Sequence, residues 1–282
     1  MTRYSLPENN RKHFDKVASS HQNDFGELIN MVIAELRSAR GWISPMLANS
    51  SLSTDPAARD EVRLLDYACG AGTVSKALAP YATQTIGLDL SANMLSEYNK
   101  AAQEMFGKHG PGTVRMRGFQ HDLLQSSSSG ASDPVPDPGA AGLAEVGDNT
   151  LPNGTLAPFD IIVIGMALHH VADAGRLLQR FAELLKPGGV CIVLDMVPGS
   201  ARLGGDGDEE GSDLMEGLEQ GEERGVLDTI AKHGCTETEM RDLYEGAGMV
   251  KFEYVVFEQR FRFTLFGQQC SSRGFIARGE SI

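Results

Sequence analysis

Three aspartates close three successive apolar runs in this chain: Asp66 in LLDYACGAG, Asp89 in TIGLDL and Asp122 in FQHDL. Asp66 is followed by Gly70 and Gly72, in a short turn before a helical stretch. Glycine permits such a turn and lets a ligand approach backbone where a Cβ would stand. A carboxylate four residues before Gly70 is ill placed beside a pyrophosphate. It suits an ammonium or sulfonium group, because unlike charges in a partly desolvated pocket attract strongly. Asp89, seventeen residues after Gly72, suits a carboxylate that accepts from two ribose hydroxyls. Asp122 stands where it can accept from an adenine amino group. Acids at three successive strand ends form the chemically informative pattern.

The surrounding periodicity supplies the elements that hold them. VRLLDYA (62–68), TQTIGLDL (83–90), TVRMRGFQHDL (113–123), FDIIVIGMAL (159–168) and VCIVLDMV (190–197) read as strands. The uninterrupted apolar run of the fourth predicts a strand covered on both faces. Between them lie helices: VSKALAPYA, then NMLSEYNKAAQEMFGKHG closed by Gly110 and Pro111, then a helix with Leu177, Leu178, Phe181, Leu184 and Leu185 on one face, ended by Gly188 and Gly189. Alternating strands and helices predict an α/β, doubly wound, mostly parallel sheet of seven strands. In the tail, Thr236 and Glu239 make a capping-box pattern, and VKFEYVVFEQRF and CSSRGFIARGE have no helix between them, so the last strand is expected to run antiparallel. Phe25, Leu28, Ile29, Val32, Ile33 and Leu36 share one face of a helix in an N-terminal helical cap. The cap is assigned to residues 1–58 and the sheet domain to 59–282.

Composition narrows the function. The stretch 206–223 holds nine acids and no base, most of the net charge of −13. A basic stripe for phosphates is missing, so a nucleic-acid partner is not expected. Two segments poor in residues able to bury area, near 125–157 and 199–224, are expected to be mobile insertions. The polar N-terminus and the lack of long apolar stretches predict neither a secretory signal nor a membrane span, and hence a cytoplasmic protein. Cys69, Cys191, Cys235 and Cys270 lie far apart with no CxxC pair, so reduced thiols are expected and no metal site.

In motif order and spacing the chain resembles class I S-adenosylmethionine-dependent methyltransferases, in the style of the ubiquinone and menaquinone methyltransferases. The resemblance rests on Asp66, Ala68, Gly70 and Gly72, on GLDLSANML (87–95), HDL (121–123), FDIIVIGMALHHVAD (159–173) and LLKPGGVCIVLD (184–195). Alanine at 68 departs from the family's first glycine. The resemblance implies a Rossmann-like fold and S-adenosyl-L-methionine as cofactor. Asp66 and the turn would hold the methionine end, Asp89 the ribose, Leu90 and Met94 the adenine faces, and Asp122 with the Leu123 amide the adenine edge. Gly165 and Met166 would lie beside the methionine moiety, and the acceptor would be a small organic molecule.

Blander roles compete. Asp66 and Asp89 also suit helix caps. His169 and His170 follow the central strand, and His169 is the candidate general base, with loop packing and helix capping the structural alternative. His13, Phe14 and His21 are expected at the surface, with contact to substrate the alternative. Two other functions stay open: a non-catalytic binding protein of the same fold, and an NAD-dependent oxidoreductase, against which Ser75 stands where a third fingerprint glycine belongs.

Overall fold

A computed structural model describes residues 5–49, 61–107, 115–125, 149–152, 154–156, 158–203, 212–213, 224–265 and 267–282. Both segments expected to be mobile fall largely outside these residues, as do Gly110 and Pro111. Helices come first: α1 (Leu6–Val17), α2 (His21–Asp24), α3 (Gly26–Ile43) and α4 (Pro45–Asn49). Then follow β1 (Arg63–Tyr67), α5 (Thr73–Leu78), β2 (Gln84–Asp89), α6 (Ala92–Phe106), β3 (Met116–Gln120), β4 (Phe159–Gly165), α7 (Ala174–Leu184) and β5 (Leu185–Met196). After the two-residue strands β6 (Arg202–Leu203) and β7 (Ser212–Asp213) come α8 (Glu237–Gly246), β8 (Val250–Leu265) and β9 (Gln268–Glu280).

The strands form one sheet in the order β3, β2, β1, β4, β5, β9, β6, β7, with β8 paired to β9. The first five pair in parallel, and β9 inserts antiparallel between β5 and β8. This is the expected Rossmann-like sheet of seven long strands, extended by β6 and β7. The chain order reverses between β1 and β4, and a crevice opens beyond the carboxyl ends of such strands.

The period of two sorts the strand residues between the faces. Leu64, Ile161, Val163, Ile192 and Leu194 pack on α3 and α5, while Leu65, Ile162, Ile164, Cys191 and Val193 pack on α7 and α8. Each fully buried leucine, isoleucine or phenylalanine contributes about 1.5–3 kcal/mol. On α3, Leu28, Ile29, Val32 and Leu36 are buried as the helical spacing predicts. The α8 capping box forms, with Glu239 N–H donating to Thr236 Oγ1 at 3.3 Å and Thr236 N–H to Glu239 Oε2 at 2.9 Å.

Three boundaries differ from expectation. Helix α6 ends at Phe106, short of Gly110, because Gly107 at φ 74° turns the chain out of the helix. Helix α7 ends at Leu184 rather than at Gly188 and Gly189, and β5 already begins at Leu185. The β4–β5 register jumps from Phe159↔Leu185 to Ile161↔Val190, so the Lys186–Gly189 segment is absorbed as a bulge, with Gly188 in the left-handed region at φ 76°. Lys186 Nζ reaches both oxygens of Asp160, at 2.9 and 2.8 Å, which ties that bulge to β4.

Candidate functional site

The turn after β1 is wound by three residues with positive φ: Ala68 at 53°, Gly70 at 49° and Gly72 at 90°. It is fastened to β2 by Cys69 N–H donating to Leu88 O (3.0 Å) and by Gly70 N–H donating to Asp89 Oδ2 (2.8 Å). A Cβ on Gly70 would point into open space, so the turn presents bare backbone. A Cβ on Gly72 would instead stand 3.1 Å from the Tyr98 ring, so this glycine admits packing. Ala68, where the resembling family has glycine, occupies a conformation that L-residues adopt at a cost of about 1–2 kcal/mol.

Asp66 is buried at the end of β1. Its Oδ2 accepts from Ser75 N–H at 3.0 Å and from Ser75 Oγ–H at 2.7 Å, and Tyr98 OH lies 2.8 Å from Ser75 Oγ. The carboxylate therefore caps the first turn of α5, one of the blander roles considered above, while also lining a cavity. Burial pushes its carboxyl up to about 7, against the two Ser75 bonds, with Asp89 adding to the rise.

At the end of β2, Asp89 accepts from Ser91 N–H through Oδ1 (2.8 Å) and from Gly70 N–H through Oδ2. The Leu90 backbone N–H also bonds this carboxylate, which leaves about one of its four lone-pair sites for a further donor. Burial raises this carboxyl as well. Ser91 caps α6 by accepting from Met94 N–H (3.1 Å) and donates to Asp15 Oδ1 at 2.7 Å, while Asn93 Nδ2 donates to Asp15 O at 2.9 Å. Helix α1 is thus fixed to the loop that carries Asp89. Asp122 accepts from Tyr67 OH (3.2 Å) and Leu124 N–H (2.9 Å) through Oδ1.

Across the crevice β4 ends at Gly165 and is followed by Met166 at φ 56°. His169 follows in a 3-10 turn, Leu168–His170. Its Nδ1 is 2.7 Å from Asp195 Oδ1 at the end of β5, and its N–H donates to Asp195 Oδ2 at 3.1 Å. Burial alone pushes the Asp195 carboxyl up, but the His169 ring and backbone N–H groups outweigh it and hold it below its ordinary value. His170 contacts Thr229 O through Nδ1 (2.7 Å), its ring centroid 4.0 Å from that of His169. Burial and His169 depress it to about 3, so it stays neutral. Asn10 of α1 donates to His170 O at 3.0 Å.

These elements enclose a cavity of about 610 Å3, within the range of small-molecule sites. Of the residues singled out in the sequence, Asp66, Ala68, Gly70, Asp89, Leu90, Met94, Asp122, Gly165, Met166 and His169 line it. Gly72 and Leu123 do not: Gly72 packs under Tyr98, and Leu123 is buried in the core with its backbone N–H turned to the Tyr67 hydroxyl. His13, Phe14 and His21, expected at the surface, line the cavity because α1 and α2 fold over it. Sequence reasoning passed over Asp195 and Asp15, whose partners lie 26 and 76 residues away. The motif LDM offered a signal for Asp195, a fourth acid at the end of an apolar strand. For Asp15 none was available.

Residues 65–191 match a family model described as a methyltransferase domain. An uncharacterized methyltransferase of Schizosaccharomyces pombe is 26% identical over 192 residues, 68% of this chain and 55% of that protein. A ubiquinone biosynthesis O-methyltransferase of Azorhizobium caulinodans is 26% identical over 132 residues, 47% of this chain and 39% of that one. The chain spans about half the length of the curated relatives it matches. Among solved structures, magnesium protoporphyrin IX methyltransferase from Synechocystis PCC 6803 with bound SAH superposes with a TM-score of 0.57 at 15% identity, covering 99% of this chain and 100% of that one. A SAM-dependent methyltransferase from Anabaena variabilis gives 0.58 at 15% identity, covering 99% and 96%. These two likenesses establish the fold. Among the described residues no helix is long and apolar enough to cross a membrane.

Proposed function

We propose that this chain, whose residues 65–191 match a methyltransferase-domain model and whose fold is Rossmann-like, transfers a methyl group from S-adenosyl-L-methionine to a small organic acceptor. The observation that carries this reading is convergence: Asp66, Asp89 and Asp122, from three strand ends, line one cavity against the bare backbone of Gly70. The donor set fits the cofactor. Gly70 leaves open the space a Cβ would fill, Asp66 Oδ1 takes no part in the two Ser75 bonds, and the Asp89 carboxylate, with three backbone donors against about four lone-pair sites, keeps some acceptor capacity.

In this reading Asp66 holds the ammonium of the methionine end and Asp89 the ribose hydroxyls. Leu90 and Met94 flank the adenine, Asp122 faces its amino edge, and Gly165 and Met166 border the methionine moiety. The cofactor supplies an electrophilic methyl group on a sulfonium. The chain aligns the acceptor and excludes water, and alignment at roughly 3–3.5 Å contributes about 7–11 kcal/mol in well-oriented systems. Asp195 at Nδ1 fixes the His169 tautomer with its proton on Nδ1, which leaves Nε2 as the base that takes the acceptor's proton. The apolar wall from α1 and α3, including Phe14, Val17, Phe25 and Leu28, shapes the acceptor side.

Calorimetry with S-adenosylmethionine, S-adenosylhomocysteine and NAD tests cofactor choice; preference for NAD contradicts the reading. Transfer of a radiolabelled methyl group to a metabolite extract tests catalysis and separates an enzyme from a binding protein of the same fold.

A further inference from the structure

Asp66 is joined to a residue that never reaches the cavity. Ser75 Oγ donates to Asp66 Oδ2, so the hydroxyl has no second proton for Tyr98, and the 2.8 Å contact between them is filled by the Tyr98 hydroxyl donating to Ser75. The chain of donors runs one way, from Tyr98 on α6 through Ser75 on α5 to Asp66 on β1. All three are 0–1% exposed. Two donors, Ser75 N–H and Oγ–H, are committed to Oδ2, so when the acid is protonated its hydrogen sits on Oδ1.

Tyr98 is held rigidly in this place. A Cβ on Gly87 would stand 2.6 Å from its ring and one on Gly118 2.9 Å, so two glycines on neighbouring strands make room for it. Phenylalanine would fill this slot equally well for packing alone. The hydroxyl is the part that packing does not explain, since a buried phenol needs a partner and this one is given Ser75.

We infer that Tyr98 and Ser75 are positioning residues for Asp66, an aligned donor chain that directs Oδ1 to the cofactor's ammonium and favours the ionised carboxylate that receives it. The inference rests on the reading of Asp66 as the receptor for the methionine end. The groups that face Asp66 are Asp89 from β2, the Cys69 thiol of the turn, Tyr98 from α6 and Ser75 from α5. Asp89 opposes ionisation, and the chain from Tyr98 works against it. Donors polarise one another along such a chain, so loss of the far hydroxyl weakens the near bond.

The test is calorimetry from pH 6 to 7.5 on the full chain, with S-adenosylmethionine and with adenosine, which lacks the ammonium. Ser75→Ala is expected to weaken S-adenosylmethionine about tenfold or more, the range for a hydrogen bond to a charged group. Tyr98→Phe is expected to weaken it about threefold. Both move the pH at which affinity falls upward, while adenosine stays within about twofold of wild type, showing that the fold and the nucleoside site are intact. Wild-type affinity and an unchanged pH profile in both variants overturn the inference, as does an equal loss for adenosine and S-adenosylmethionine. Failure of the wild-type chain to bind S-adenosylmethionine is a separate result that removes the cofactor reading itself.

Discussion

His169 Nδ1 lies 2.7 Å from Asp195 Oδ1 at the mouth of the cavity, and both side chains are buried. The pair joins the turn after β4 to the end of β5, and His169 lines the cavity. Replacing His169 by Gln is expected to lower methyl transfer by about 10²–10⁴-fold, the usual contribution of a positioned base. Asp195→Asn, which leaves the shape but not the charge, is expected to lower it about 10²-fold. Cofactor affinity should stay within about threefold in both, measured by calorimetry beside single-turnover transfer to the labelled acceptor. Unchanged turnover in both variants contradicts the role.

The lid contact Asp15–Ser91 gives a second prediction. Asp15→Ala removes the acceptor for Ser91 Oγ and for the Asn93 backbone N–H, and is expected to weaken S-adenosylmethionine three- to tenfold. Amide hydrogen exchange over residues 6–17 should quicken in the same variant. Exchange at the wild-type rate would show that α1 is held by its other contacts.

Ala68 sits at φ 53° where glycine is unstrained. Relief of about 1–2 kcal/mol, less the extra chain entropy of glycine, about 0.5–1 kcal/mol, predicts that Ala68→Gly stabilises the fold by about 0.5–1 kcal/mol. Denaturant unfolding measures it. A destabilised variant would mean that the turn is not strained.

Opposite shifts at two buried groups contribute opposing slopes to the acid profile, beside those of Asp89, raised by burial, and of His13 and His21, lowered by it. Asp66, raised to about 7, binds a proton in the folded chain that the unfolded chain releases above about 4, so acidification from pH 7 stabilises the fold through it. His170, depressed to about 3, stays neutral when folded while the unfolded residue charges below about 6.5, so acidification destabilises through it. Between about pH 4 and 6.5 the two slopes, each roughly 1.4 kcal/mol per unit, oppose one another. In His170→Gln the destabilising slope of His170 is gone while that of Asp66 remains, so stability should gain on acidification relative to wild type across that window. A wild-type-like profile in this variant contradicts the assignment.

What could be read from the sequence is what is local. The turn from Asp66 to Gly72 and the strand-end acids depend on a few neighbouring residues, and the strands depend on a period of two, so both were legible. Leu123 stands off the cavity lining because the motif HDL fixes which residues end the strand but not where each amide points; its N–H turns to Tyr67. Gly72 stands off it because its need for glycine comes from Tyr98, on a different helix. The choice between surface and cavity for His13, Phe14 and His21 depends on how α1 and α2 dock, and the contacts that dock α1, Asn10 to His170 and Asp15 to Ser91, span 160 and 76 residues. Asp195 was visible as an acid at a strand end, but its partnership with His169 exists only in the folded sheet.

The central claim is that the Asp66 carboxylate receives the cationic end of the methyl donor, and one titration tests it most directly. Asp66→Asn keeps the size and removes the charge. It is expected to lose about 10–100-fold in affinity for S-adenosylmethionine, with adenosine binding unchanged, and wild-type affinity should fall as pH drops below about 7, where Asp66 gains its proton. Wild-type affinity for S-adenosylmethionine in Asp66→Asn, at every pH, would contradict the account.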